Sequence, residues 1–178
     1  MPTEWENFAL RVVVSGAPGT GKSTVAELLA DRFGAPLLSL DVIKEALGDT
    51  LGAGDEAWSN RVGDAAAEVV FRLARLYPSA VVEGWWRRER RDRAIREFAG
   101  WTEVFCRCRP DLAEQRARAR LTEDRHPIHR DVMNPSLLDD YASFAATVSP
   151  LHLGGPLVEV DTTDGIDADA LVARVRDG

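Results

Sequence analysis

The sequence predicts an α/β fold, a parallel sheet covered by helices on both faces, and three observations predict it. Short β-branched runs alternate with amphipathic segments from residue 10 to the C-terminal end. The connections between them are short. The first strand leads through Gly16-Ala17-Pro18-Gly19-Thr20-Gly21-Lys22-Ser23 into a helix, the strand–loop–helix order of a G-x-x-x-x-G-K-[ST] phosphate-binding loop. With 45% apolar residues in 178, the chain suits one compact domain with a real core, so residues 1–178 are read as a single domain.

Each element has its own signature. Residues 10–14 have the composition of a buried parallel strand, and residues 25–33 keep helical apolar spacing up to Gly34, a glycine C-cap. Residues 35–40 read as a second strand, after which Asp41 opens a short helix that Gly48 ends. Asp55 caps a long amphipathic helix that runs to about Tyr77, where Pro78 stops it. Residues 80–83 are a third strand, and Gly84 turns the chain toward an Arg-rich helix over roughly 89–99. Residues 101–108 form a fourth strand, and Pro110-Asp111 opens the helix of Arg116, Arg118 and Arg120. That helix gives way near Thr122 to a polar segment ending at Arg130. Asn134-Pro135 caps a helix reaching Val148, residues 156–160 are the fifth strand, and Asp167 starts a last helix.

Composition narrows the class of function. No run of 18 apolar residues is present, so no membrane-spanning helix is expected. The start, Met1-Pro2-Thr3-Glu4-Trp5-Glu6, is acidic where a secretory leader is basic and then apolar, which makes a cytoplasmic protein the default expectation. Cys106 and Cys108 alternate on a strand and, with His126 and His129, fall short of zinc-ligand spacings, so buried structural thiols are expected. The net charge of −7 argues against general nucleic-acid affinity. Of the 22 basic residues only Lys22 and Lys44 are lysines, and the arginines crowd residues 87–96 and 107–130.

The glycine-rich loop supplies the first half of a site. Gly16, Gly19 and Gly21 let the backbone, with Pro18 and Thr20 between them, bring N–H groups against phosphate oxygens. The helix N-terminus favours the same oxygens. Lys22 reaches the β- and γ-phosphates of a nucleoside triphosphate, Ser23 can take a position on Mg²⁺, and Thr24 is a further phosphate contact.

Ligands of parallel sheets bind at the carboxyl ends of the strands, so the residues after each strand supply the rest. Asp41 after strand two can take a proton from an attacking hydroxyl, and Lys44 at i+3 faces the same way toward an acceptor's anionic group or the transferred phosphoryl. Glu83 ends strand three, where an acid can hold Mg²⁺ or its water. Trp85 and Trp86 can stack on a ring-bearing acceptor, and Arg87, Arg88 and Arg91 are possible substrate contacts on an otherwise solvated helix face. Arg116 and Arg120 share one helix face, with Arg118 turned away, and Arg125 follows; together they suit a lid, about residues 114–131, that closes on the γ-phosphoryl.

Gly16-x4-Gly21-Lys22-Ser23, Asp41-x-x-Lys44, the arginine lid and Arg125-His126-Pro127-x-His129 resemble the small bacterial P-loop kinases. The likeness is to the group that includes chloramphenicol phosphotransferase, zeta toxins and polynucleotide 5′-hydroxyl kinases, and it spans about residues 9–163. The resemblance implies a five-stranded sheet in the order 2-3-1-4-5, ATP with Mg²⁺ as donor, and Asp41 as the base. It further implies Asp161-Thr162-Thr163 near adenine, and an acceptor held near Trp58, where Asn60 and Arg61 are further candidates. Glu83 and the tryptophan pair depart from the commonest patterns of that group.

Guanine recognition would need an Asn/Thr-Lys-x-Asp segment, and neither lysine lies in one. A ring-forming motor would end strand three in Asp-Glu, whereas Gly84 follows Glu83 here. The reading preferred is a kinase of a small-molecule hydroxyl, for instance on a sugar-like natural product or antibiotic, acting as a monomer or homodimer. The alternatives are a kinase of nucleosides, nucleotides or polynucleotide 5′ ends, and a non-catalytic nucleotide-binding regulator.

Overall fold

The apolar run after residue 10 forms β1 (Arg11–Gly16), buried from Val12 onward, at the centre of a five-stranded sheet in the computed structural model. The structure describes residues 9–122, 125–129 and 139–178. With β2 (Leu37–Ser39), β3 (Ala80–Glu83), β4 (Thr102–Arg107) and β5 (Leu157–Asp161), the order is β2-β3-β1-β4-β5, and all four pairings are parallel. The expected strand order therefore holds.

Side-chain alternation along the strands splits the core in two. Val13, Leu38 and Val82 face α3 (Glu56–Leu76) and α4 (Arg88–Glu97), whereas Val12, Val14, Val81 and Val104 pack against α1 (Lys22–Phe33) and a C-terminal helix (Ala168–Asp177). Asp167 caps that last helix through Ala170 N at 3.0 Å, as its position predicts. Between β4 and β5 the chain forms α5 (Pro110–Thr122) and α6 (Tyr141–Thr147), so the C-terminal helix is α7. Asp140 caps α6; the Asn134-Pro135 cap expected for this helix lies outside the described residues. Among the described residues no helix is long and apolar enough to cross a membrane.

Two boundaries correct the sequence reading. Helix α2 (Leu40–Leu51) is capped by Ser39, whose Oγ accepts from Val42 N, so Asp41 sits in the first turn with its carboxylate not used as the cap. The helix also runs through Gly48 and ends at Gly52, which has φ 80°. Gly48 serves a close approach instead: a Cβ there would lie 2.9 Å from both Ile128 Cβ and His126 Cε1.

Glu103 on β4 is a buried carboxylate that composition does not announce. It accepts from Ser15 Oγ at 2.6 Å, Leu151 N at 2.7 Å and His152 N at 2.9 Å, which satisfies both oxygens and ties the loop before β5 to the sheet. The strand order reverses beside β1, and the carboxyl ends of β1, β2 and β3 there surround one cleft.

Candidate active site

The loop between β1 and α1 takes a shape that only glycines allow. Gly16, Gly19 and Gly21 have φ of 145°, 82° and 76°. A Cβ on Gly19 would lie 2.1 Å from the Ala113 carbonyl oxygen, and one on Gly16 2.6 Å from that of Cys106. No side chain caps α1 and no acid occupies its first turn, an N-terminus whose geometry suits an anion. Tyr141 donates from its hydroxyl to the Pro18 carbonyl, which pins the loop from α6. The buried Thr20 hydroxyl donates to Ala17 O at 2.7 Å, so this side chain braces the loop.

Lys22 is buried and donates to Ala17 O at 2.9 Å. Burial pushes its pKa down, opposed by the charges of Glu83, Cys106 and Asp41 and helped by Arg120. Glu83, at the end of β3, accepts from Ser39 Oγ at 2.9 Å. Burial raises its pKa against the pull of Lys22, while Asp41 raises it further. These groups sense one another electrostatically across one small space.

That space is a cleft lined by Pro18, Gly19, Lys22 and Ser23 on one side and Asp41, Lys44, Glu83, Trp85, Arg87 and Arg90 on the other, with Arg120 and Arg125 also present. A second groove, lined by Gly21, Thr24, Arg116, Thr162 and Gly165, continues from the loop toward β5. The Thr162 hydroxyl lies 3.0 Å from Thr20 O and 3.2 Å from Arg107 O. The expected phosphate-side residues thus divide between two connected hollows, with Arg120 on both.

Lys44 is nearly inaccessible at 3% exposure, and its Nζ donates to Ser59 Oγ at 2.9 Å. Ser59 Oγ in turn donates to Ile128 O at 2.5 Å. Three more contacts fasten the segment 125–129 to α2: His126 lies 3.0 Å from Asp49, His129 lies 2.6 Å from Glu45, and Ile128 packs on Gly48. Arg125 therefore stands on a strap docked to α2, while Arg116 and Arg120 stand on α5.

Several expected substrate contacts fall elsewhere. Trp86 is a core residue, 5% exposed and stacked on Phe71 with centroids 5.7 Å apart, because the chain after β3 turns its ring inward. Trp58 lies outside the cleft, with its Nε1 on Gly52 O at 2.9 Å and the Arg61 guanidinium 5.2 Å over its ring. Arg61 is thereby turned away as well. Arg91 reaches Ser149 and Pro150, and the Arg88 side chain falls outside the described residues. Cys106 is a buried thiol raised to about 12 by burial, as a structural role requires, and Cys108 accepts from Arg116 Nη1 at 3.6 Å.

Arg90 is the cleft residue the sequence reading missed. Its Nε donates to Asp64 at 2.6 Å and its Nη2 to Asn60 O at 3.2 Å. The signal was Gly63 in the middle of α3: a Cβ there would lie 2.8 Å from Arg90 Nη2, so the glycine makes room for the guanidinium.

Sheet order, loop and strand-end residues define the class, a P-loop kinase fold. Residues 12–135 match the family model described as an AAA domain, and the chain belongs to that family. It is 32% identical to a candidate kinase from Chloroflexus aurantiacus J-10-fl, with TM-score 0.79 over 96% of this chain and 98% of that one. Shikimate kinase from Bacteroides thetaiotaomicron shares the fold at 17% identity and TM-score 0.60, over 94% of this chain and 97% of that one. A gluconokinase from Sinorhizobium meliloti 1021 does so at 20% identity and TM-score 0.50, over 94% and 90%. Comparison with curated proteins found no match. These findings carry the P-loop kinase fold, and go no further toward the narrower chloramphenicol phosphotransferase, zeta toxin and polynucleotide kinase group.

Proposed function

We propose that this protein transfers the γ-phosphoryl group of ATP to a hydroxyl of a small molecule, with Asp41 as general base. The observation that carries the reading is the convergence of Lys22 and Ser23 with Asp41, Arg120 and Arg125 on one cleft. A phosphate loop alone would serve any nucleotide binder. A carboxylate opposite it, on α2 and not consumed as the helix cap, is what transfer to an alcohol needs.

In the step proposed, the acceptor oxygen gives its proton to an Asp41 oxygen and attacks the γ-phosphorus. The bond from that phosphorus to the β,γ-bridging oxygen breaks, and ADP leaves with that oxygen. Lys22, Arg120 and Arg125 face the phosphates, whose negative charge they offset during transfer. Arg116, Thr24 and Thr162 line the groove for the nucleoside. The glycine cradle and the uncapped α1 fit a triphosphate, and Ser23 with Glu83 would hold Mg²⁺, which supplies further charge neutralisation when bound.

A phosphate track for nucleic acid is disfavoured by how α4 uses its arginines. Arg93 pairs with Glu68, Arg91 with backbone oxygens of residues 149–150, and Arg75 of α3 with Glu97. The test is ADP release over a broad panel of alcohol-bearing metabolites and antibiotics, plus 5′-hydroxyl oligonucleotides, with Lys22→Met as the blank. Release stimulated by a small alcohol supports the reading. Tight ATP binding with no stimulated release across the panel would favour a regulatory module, and labelled oligonucleotide ends would favour the polynucleotide reading.

A further inference from the structure

Building on the kinase reading, we infer that the acceptor carries an anionic group, a carboxylate or a phosphate monoester, seated against Arg87 and Arg90 beside the Trp85 ring. Among the described residues the cleft is lined by the basic side chains of Lys22, Lys44, Arg87, Arg90, Arg120 and Arg125 and by the carboxylates of Asp41 and Glu83, and Arg90 is also paired with Asp64. The whole chain has net charge −7, so this gathering of basic side chains is local to the cleft.

Topology separates the cations into two sets. The nucleoside groove runs from the phosphate loop toward β5, with Arg116 and Arg120 on its wall. Arg87 follows β3 and Arg90 lies on α4, across β1 from β4 and β5. A donor whose nucleoside fills the groove over β5 leaves these two guanidinium groups on the acceptor side.

Both are held in place rather than left to swing. Arg87 Nη1 donates to the neutral Asn60 Oδ1 at 3.0 Å, and its guanidinium lies 5.9 Å from the Trp85 ring centroid. Arg90 is 13% exposed, anchored by Asp64 and the Asn60 carbonyl, and given room by Gly63. A guanidinium fixed this way can take a further hydrogen bond to a carboxylate or phosphate with little additional loss of freedom. The half-buried Trp85 offers a flat apolar wall next to that guanidinium fork, which suits a ring bearing the anion.

The test is a calorimetric titration of the full chain with AMP-PNP and Mg²⁺ saturating the phosphate loop. The probes are benzoate, phenyl phosphate and the neutral benzamide, none of which can be consumed by the proposed transfer. At least one anion is expected to bind and benzamide is not; which anion binds separates the carboxylate from the phosphate source. Arg87→Gln should weaken that binding by about tenfold or more, while Arg93→Gln should leave it unchanged, since Arg93 pairs with Glu68 and lies over Phe71 outside the cleft lining. Should Arg87→Gln melt early, Arg87→Lys keeps the charge without the fork and must show a smaller but clear loss. Equal binding of benzamide, no binding of either anion, or unchanged binding in the Arg87 variants overturns the inference. Anion binding that persists when no alcohol, anionic or neutral, stimulates ADP release would overturn the kinase reading and leave the anion subsite standing.

Discussion

His129 Nε2 lies 2.6 Å from Glu45 Oε1, which ties the strap bearing Arg125 to the helix bearing Asp41. His126 on Asp49 adds to the same seam, and Ser59 of α3 holds the strap through Ile128 O. The proposed base and Arg125, one of the cleft arginines, therefore belong to one packed unit, whereas Arg120 is carried by a different helix.

The seam depends on Gly48. Glycine to alanine inside a helix ordinarily stabilises by up to about 1 kcal/mol. Here the new Cβ would meet Ile128 Cβ at 2.9 Å, a position set by the docked strap. Gly48→Ala is expected to lower Tm and turnover together, read by thermal melts and ADP release. A gain in Tm would mean the strap is not held against α2.

Protonation of the buried His129 should cost the folded state stability. Burial lowers its pKa, with Asp41 and Glu45 opposing and Arg125 assisting, so the folded chain holds the ring neutral to lower pH than the unfolded chain does. The unfolded state binds the proton first as pH falls. The contribution of His129 to stability is thus complete above about 6.5 and is lost as pH drops from there through the folded-state value. Melting curves from pH 8 to 5 should show a steeper loss in the wild type than in His129→Gln. Parallel curves would contradict this.

Glu83 has the opposite sign. Its carboxyl is raised by burial, so the stability it contributes is present below about 4.3 and is lost as pH rises through its folded-state pKa. Glu83→Gln should gain in Tm relative to the wild type as pH goes from 4 to 8, while Mg²⁺-dependent turnover falls. A variant with full Mg²⁺-dependent turnover would remove Glu83 from the proposed metal shell.

The neighbouring tryptophans should separate cleanly. Trp86→Ala empties a site packed by Phe71 and Phe98 and should cost about 3–5 kcal/mol in denaturant unfolding. Trp85→Ala, facing the cleft and the edge of Phe144, should cost less stability and raise the acceptor KM.

How much of this was legible in sequence follows from the range of the forces involved. The phosphate loop was fully legible, because its glycines and Lys22 act through local backbone geometry. That Asp41, Glu83 and Trp85 line one cleft was legible from their position at or just after strand ends. The roles of Trp86 and Trp58 were not, since which way a side chain turns after a strand is decided by packing with Phe71 or by the Gly52 carbonyl. The extent of α2 was misread for the same reason: Gly48 looks like a stop signal until the strap that presses on it is seen. Gly63 was the quietest signal, and it admits Arg90 to the cleft.

The central claim is that Asp41 acts on the acceptor proton opposite a loop that binds the donor. Asp41→Asn keeps the side chain's size and leaves the Ser39 cap of α2 in place. Nucleotide affinity and single-turnover phosphoryl transfer, measured side by side with an acceptor found by ADP release, give the direct comparison. The account predicts ATP binding close to wild type with transfer slowed by on the order of 10²-fold or more. Transfer at the wild-type rate in Asp41→Asn would contradict it.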